Sequence, residues 1–211
     1  MTDSNYTHIL AIVDRSGSMS WGGVAKEMTH ALDKYFEGQA EVEGKCLVDY
    51  VQFDTVYEKV FEDTPVVEAK AVIQPRGGTA LLDAIGRGTV ELGTKLKRLP
   101  EHARPGTVLV VVVTDGQENS SVEYSAEKVK ALINKQEDKY SWEYFFLGAN
   151  IDAVATGDQF GFKRGNTLTF DINNAQAVSA TMDSLAVSNA TYRSGGTYAF
   201  SDEEREAAVG K

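Results

Sequence analysis

The sequence predicts an α/β fold: a doubly wound, mostly parallel central sheet of about six strands, one of them an antiparallel edge, with helices on both faces. Three observations carry this reading. Strand-like and helix-like segments alternate along the chain. The run Val108-Leu109-Val110-Val111-Val112-Val113 is unbroken and largely β-branched, as expected of a strand buried on both faces in the middle of a parallel sheet. A second apolar run, His8-Ile9-Leu10-Ala11-Ile12-Val13, leads directly into the polar turn Asp14-Arg15-Ser16-Gly17-Ser18.

Taken in order, the first strand ends at Val13. Val24, Met28, Ala31, Leu32 and Tyr35 then recur at helical spacing, with Gly38 placed to end that helix. Cys46 to Phe53 reads as a second strand. Thr55 to Phe61 reads as a third, paired antiparallel with it through Asp54-Thr55 to make the hairpin edge. From Pro65 to Pro75 the pattern is ambiguous, and Arg76-Gly77-Gly78 supplies permissive backbone just ahead of Thr79. Leu81, Ile85, Leu92, Leu96 and Leu99 form the buried face of the next helix. Pro100 and Pro105 bracket the loop before the strand Thr107 to Val113. Ser125 caps a helix carrying Val129, Leu132, Ile133 and Gln136, and Trp142 to Leu147 is a strand ending at Gly148-Ala149-Asn150. Ile151 to Phe160 is a short helix, Asn166 to Phe170 a last strand and Asn173 to Ala190 a helix. The acidic tail from Ser201 to Lys211 reads as frayed or partner-dependent.

At 211 residues and 42% hydrophobic, the composition suits one sizeable core. With 31 acidic against 21 basic residues the formal charge is −10, which argues against nucleic acid or an anionic membrane as partner. It mainly keeps a surface soluble. The lone Cys46 excludes an intramolecular disulfide and reads as a buried, inert thiol in a reducing setting. The N-terminus lacks the pattern of an export signal and no segment approaches 18 apolar residues, so a cytoplasmic location is expected.

Asp14, Ser16 and Ser18 set one carboxylate and two hydroxyls at alternate positions on a turn leaving a strand, three hard oxygens suited to a small divalent cation. Two later segments can complete such a site: Gly77-Gly78-Thr79 before a helix, and Thr114-Asp115-Gly116 at the end of the central strand. In a parallel α/β sheet, ligands gather outside the carboxyl ends of strands where strand order reverses. Each segment taken alone also reads as ordinary turn and capping chemistry: Ser16 to Ser18 as a polar turn, Thr79 as a helix cap, Asp115-Gly116 as a turn pair.

Together these residues resemble the von Willebrand factor A (vWA) family, whose metal-ion-dependent adhesion site is written D-x-S-x-S, then T, then D. All five positions are matched, by Asp14, Ser16, Ser18, Thr79 and Asp115. The resemblance implies a Rossmann-like sheet and a bound Mg²⁺ or Mn²⁺. It also implies Ser16 and Ser18 as direct ligands, Thr79 direct or through water, and Asp14 and Asp115 mostly through water. An open position on the metal would accept an Asp or Glu of a partner protein. The family's small stand-alone bacterial or phage members are the nearest type. The likeness covers about residues 6 to 170, giving a vWA domain at 1–170, with 171–211 as a C-terminal helix and acidic tail packed on or appended to it. In some relatives the C-terminal helix shifts with site occupancy, which would here involve Asn173 to Ala190.

An enzyme reading starts from the same Asp14, because an aspartate after the first strand also opens the haloacid dehalogenase phosphatase motif. That chemistry wants a second aspartate two residues on, and here the position is Ser16. No phosphate loop, nucleophile elbow or Cys–His pair appears. A non-enzymatic, metal-dependent interaction domain is therefore expected, with a phage structural subunit or an adaptor of an AAA+ ATPase as alternatives. Gln117, Glu118 and Asn119 read as a polar loop, Trp21 as either an exposed interface anchor or a residue tucked under the first helix, and His8, His30 and His102 as bystanders.

Overall fold

Residues 1–211 are described by a computed structural model. Six strands form one sheet in the order β3-β2-β1-β4-β5-β6. They are β1 (Asp3–Asp14), β2 (Lys45–Phe53), β3 (Tyr57–Pro65), β4 (Pro105–Thr114), β5 (Glu143–Ala149) and β6 (Thr167–Phe170). All neighbours pair in parallel except β2 with β3, the antiparallel edge expected from sequence. The chain builds outward from β1 to β2 and β3, then returns to lay β4 on the other side of β1. Strand order thus reverses between β1 and β4, and the carboxyl ends of those two strands flank the crevice where a parallel sheet binds ligands.

Six helices cover the sheet: α1 (Val24–Ala40), α2 (Leu81–Arg98), α3 (Ala126–Tyr140), α4 (Ala153–Phe160), α5 (Ala175–Arg193) and α6 (Asp202–Ala208). Because side chains alternate along a strand, β1 sends Ile9, Ala11 and Val13 into one core with Met28, Leu32 and Phe36 of α1 and Met182 and Leu185 of α5. Leu10 and Ile12 enter the opposite core with Leu81, Ile85 and Leu92 of α2 and Val129 and Ile133 of α3. β4 divides its valines in the same way, as a central strand must.

Several boundaries depart from the sequence reading for physical reasons. β1 begins at Asp3, where Asp3 N–H donates to the Arg104 carbonyl at 2.8 Å and ties the N-terminus to the start of β4. α1 runs through Gly38 to Ala40. Gly38 has helical backbone and faces Ala186 of α5, so it serves a helix crossing rather than a terminus. β3 starts two residues later than expected and continues to Pro65, its solvent side carrying Glu58, Lys59, Glu62 and Asp63, charges that blunt an exposed edge. Pro105, expected in the preceding loop, is the first residue of β4, a position that needs no ladder N–H.

The largest correction concerns the acidic tail. Ser201 and Glu204 form a complete capping box that starts α6, so this segment is ordered helix. Ala208 is buried, its carbonyl accepts from Asp171 N–H at 2.9 Å, and Arg205 donates to the Thr167 and Arg164 carbonyls at 2.8 Å each. α5 is fixed to α1 by equally specific bonds: Tyr35 Oη donates to Asn189 Oδ1 at 3.1 Å and Gln39 Nε2 to the Ala186 carbonyl at 2.9 Å. No helix is long and apolar enough to cross a membrane.

Candidate metal centre

β1 ends at Asp14, whose side chain lies on the floor of the crevice with no solvent exposure. Both of its oxygens are held: Ser16 N–H donates to Oδ1 at 2.6 Å and Thr114 Oγ1 donates to Oδ2 at 2.6 Å. The chain then turns through a short 3₁₀ segment, Gly17–Ser20, pinned from below by fully buried Met19. Ser16 occupies the capping position of that segment but its hydroxyl caps nothing. Instead Ser16 Oγ and Ser18 Oγ lie 2.9 Å apart, and both approach Asp115 Oδ1, at 3.3 and 2.8 Å.

Thr79 arrives from the other side. α2 takes Ala80 as its N-cap with no side-chain cap bond, so the hydroxyl of Thr79 is not occupied in starting the helix. Its backbone is clamped to the loop after β4: Thr79 N–H donates to Asn119 Oδ1 at 3.0 Å, and its carbonyl accepts from the amides of Asn119 and Ser120 at 3.1 and 3.2 Å. Gly116 shows how closely these elements meet. A Cβ there would stand 2.8 Å from Thr79 Oγ1 and 3.5 Å from Asp14 Oδ2, so both oxygens face one small space that only glycine leaves open. The fold therefore gathers all five residues read from sequence, from three segments up to about 100 positions apart.

The donor set suits a small divalent cation. A cation with octahedral oxygens at about 2.0–2.1 Å separates neighbouring ligands by about 3 Å. Ser16 Oγ and Ser18 Oγ, the two expected direct ligands, lie 2.9 Å apart, close to that separation, and Asp115 Oδ1 accepts from them at 3.3 and 2.8 Å. The charge also fits. Burial pushes the Asp14 carboxyl up to about 6, against hydrogen bonds from Thr114 and Ser16 that favour the anion. Burial likewise raises Asp115, against its bonds from Ser18 and Ser16. The groups that touch these two carboxylates are hydroxyls and an amide, and neither makes an ion pair with a lysine, arginine or histidine.

No protein-family model and no curated protein matches this sequence. Solved structures do. The chain is similar to proximal thread matrix protein 1 from the mussel byssus, with TM-score 0.62 at 16% identity over 88% of this chain and 47% of that one. It is also similar to a von Willebrand factor type A structure from Catenulispora acidiphila, with TM-score 0.60 at 14% identity over 89% of this chain and 43% of that one. The chain has the von Willebrand factor A fold. A third match, the same mussel protein described as having a zinc-occupied MIDAS motif, gives TM-score 0.60 at 16% identity over 89% of this chain and 47% of that one. The chain spans just under half the length of these structures.

In this vWA fold the residues after Asp115 act as loop scaffolding. Glu118 accepts from the amide of Leu82 at 2.9 Å and from the amides of Ser120 and Ser121 at 2.9 and 2.8 Å, which fastens the loop to the start of α2. Asp83 accepts from the amides of Val122, Glu123 and Tyr124 at 2.8–2.9 Å. Trp21 is 77% exposed on the shoulder of the site, resolving the two readings of it in favour of the exposed one. Cys46 is buried, and burial pushes its thiol up to about 11, as expected of an inert cysteine.

Sequence reasoning missed two groups. One is the set Arg15, Asp54, Glu58 and Arg76, which links the Ser16 turn to the loop before Thr79. The other is His8, taken as a bystander. It is fully buried with Nε2 3.1 Å from Asp49 Oδ1, and with Asp49 and Asp63 it makes a second group whose ligand atoms lie within 4.8 Å of one another. Lys95 Nζ already occupies that group, at 2.6 and 2.8 Å from the Asp49 oxygens and 2.9 Å from Asp63 Oδ1. Nothing in the sequence spacing joins these residues, which meet only because β1, β2, β3 and α2 pack together.

Proposed function

We propose that this chain is a non-enzymatic, metal-dependent protein-interaction domain. Ser16, Ser18 and Thr79 would hold Mg²⁺ or Mn²⁺ with Asp14 and Asp115 on an otherwise shared oxygen surface, and a partner would be captured through its own Asp or Glu. The observation that carries this reading is the buried Asp14 and half-buried Asp115, neither in an ion pair with a cation of the chain, beside the hydroxyls of Ser16, Ser18 and Thr79. The zinc-occupied motif described for the mussel protein of the same fold supports a metal at this place. When bound, the ion supplies a Lewis-acidic position that attracts an incoming carboxylate.

The chain's own residues divide the work. Asp14 lies deep, held at both oxygens, and orients the Ser16 amide and the Thr114 hydroxyl. Ser18 is exposed and Asp115 half-buried, so the approach for a partner lies on their side of the crevice. Trp21, three residues beyond Ser18, offers an exposed aromatic contact next to that approach, the residue type that dominates interface energetics. Ser16 stands where a phosphatase of the aspartate-nucleophile type would need an acid, which favours binding over hydrolysis. The domain comprises residues 1–170, with 171–211 as its C-terminal helix and tail on the same core.

Capture of partners from lysate on tagged wild-type protein in millimolar Mg²⁺, in EDTA, and on Ser16→Ala in Mg²⁺ tests the reading. A partner retained only by the wild type in Mg²⁺ is the expected result. The same partners in all three samples would remove the metal from recognition.

A further inference from the structure

We propose that Asp54 is a positioning residue for the metal centre, setting the distance between the Ser16 turn and the Thr79 loop without touching the ion. The inference rests on the metal reading above and concerns residues that reading does not use. Asp54 follows the last residue of β2 and is 1% exposed. One of its oxygens, Oδ2, accepts from two guanidinium groups at once: Arg15 Nε at 2.8 Å and Arg76 Nε at 2.9 Å. Arg15 is the residue between Asp14 and Ser16, and Arg76 is three residues before Thr79. A single carboxylate oxygen therefore joins the two loops that carry the hydroxyl donors.

Backbone bonds tighten the same junction. The Asp54 carbonyl accepts from Ala80 N–H at 2.9 Å, immediately after Thr79. The Arg15 carbonyl accepts from Arg76 N–H at 2.8 Å, and the Gly77 carbonyl accepts from Gly17 N–H at 3.1 Å. Gly77 has φ +69°, and a Cβ there would approach the Asp54 Cβ to 3.1 Å, so the loop is pressed against this side chain. Asp54 Oδ1 is in turn fixed by Val56 N–H at 2.7 Å.

The arrangement is positional and electrostatically balanced. Arg15 Nη2 lies 2.7 Å and Arg76 Nη2 3.5 Å from Glu58 Oε2, so two cations face two anions and the group adds no net charge beside the site. Burial alone would raise the Asp54 carboxyl, yet bonds from Arg76, the Val56 amide and Arg15 bring it below the ordinary range. Asp54 is thus a fixed anion whose partners are the two loops themselves, and bidentate or shared guanidinium contacts of this kind fix geometry as well as charge.

Mn²⁺ binding by wild type, Asp54→Asn, Thr79→Ala and the double variant, followed by electron paramagnetic resonance and by water-proton relaxation of the bound ion, tests the proposal. Asp54→Asn should weaken Mn²⁺ roughly 10-fold, the lower end of the range for groups that orient ligands. It should also raise relaxation as Thr79→Ala does, because a displaced Thr79 leaves a position to water. The double variant should match Thr79→Ala alone, since both changes act through one hydroxyl. Arg76→Gln, whose side chain is 57% exposed and dispensable for the core, tests the link from the other loop should Asp54→Asn not fold, and Arg76→Lys should restore part of the affinity. Wild-type binding with unchanged affinity and relaxation in both Asp54→Asn and Arg76→Gln would overturn the inference alone. Additive losses in the double variant would do the same. No Mn²⁺ binding by the wild type would overturn the metal reading and this inference with it.

Discussion

Asp14 and Asp49 are buried carboxylates on paired strands of one sheet, roughly 13 Å apart along the strand direction, and their surroundings drive them in opposite directions. Burial raises both. For Asp14 hydrogen bonds from Thr114 and Ser16 do not offset it, and the group ends at about 6. For Asp49 the hydrogen bond and charge of His8, the bond from Lys95 and the Asp63 amide overcome burial and bring it to about 2. The difference is a cation. His8 places Nε2 3.1 Å from Asp49 Oδ1 and Lys95, from α2, sets its ammonium against both Asp49 oxygens, whereas Asp14 and its neighbour Asp115 are given hydroxyls and an amide only. One carboxylate is completed by the chain, and the other is the one we propose a metal completes.

The comparison is broken most directly at its internal cation. Lys95→Met leaves Asp49 buried beside Asp63 with no ammonium, and removal of one partner of a buried pair costs about 3–5 kcal/mol. Chemical denaturation should show a loss near that size with metal binding unaffected. Ser16→Ala acts at the other region: Mg²⁺ affinity should fall on the order of 100-fold in calorimetric titration, while stability without metal moves by less than about 1 kcal/mol.

The same conservative change should then have opposite signs at the two carboxylates. Asp49→Asn should destabilise by about 2 kcal/mol, reflecting a fall from 3.8 to about 2 at 1.36 kcal/mol per unit. Asp14→Asn removes an uncompensated charge and should stabilise the metal-free protein by up to about 3 kcal/mol. The pH dependence follows. The folded state holds the Asp14 proton up to about pH 6 and the unfolded chain only to about 3.8, so metal-free stability from this group falls as pH rises between those values. Asp49 works the other way, its contribution being complete above about 3.8 and lost as pH drops through about 2. Unfolding measured from pH 4 to 7 in EDTA should show the first slope in wild type and not in Asp14→Asn. Trp21→Ala should have the smallest effect on the fold, within about 0.5 kcal/mol, while weakening partner capture.

What the sequence revealed follows the same divide. The meeting of the five residues proposed for the metal centre was legible because three of them share one turn and the other two sit at ends of elements that their own composition announces: the Arg76-Gly77-Gly78 loop and the valine strand. The centre of the sheet was legible because an unbroken β-branched run has few other uses. Lys95 with Asp49, 46 residues apart, and Arg15 with Asp54, 39 apart, were not, since each pair is made by packing between elements rather than by local spacing. Gly38 misled because glycine marks helix ends and close helix crossings alike, and only the partner helix α5 decides between them. The α6 helix carried a readable signal in Ser201 and Glu204, outweighed by the acidity around it.

Thermal unfolding of wild type and Asp14→Asn, each in EDTA and in millimolar Mg²⁺, tests the central claim in four curves. An ion that binds only the folded state raises its stability in proportion to the logarithm of ion concentration over Kd. Asp14→Asn is expected to melt several degrees above wild type in EDTA, and Mg²⁺ is expected to raise wild type alone. A wild type indifferent to Mg²⁺, or a variant raised equally by it, would contradict the account of Asp14 as a carboxylate completed by a metal.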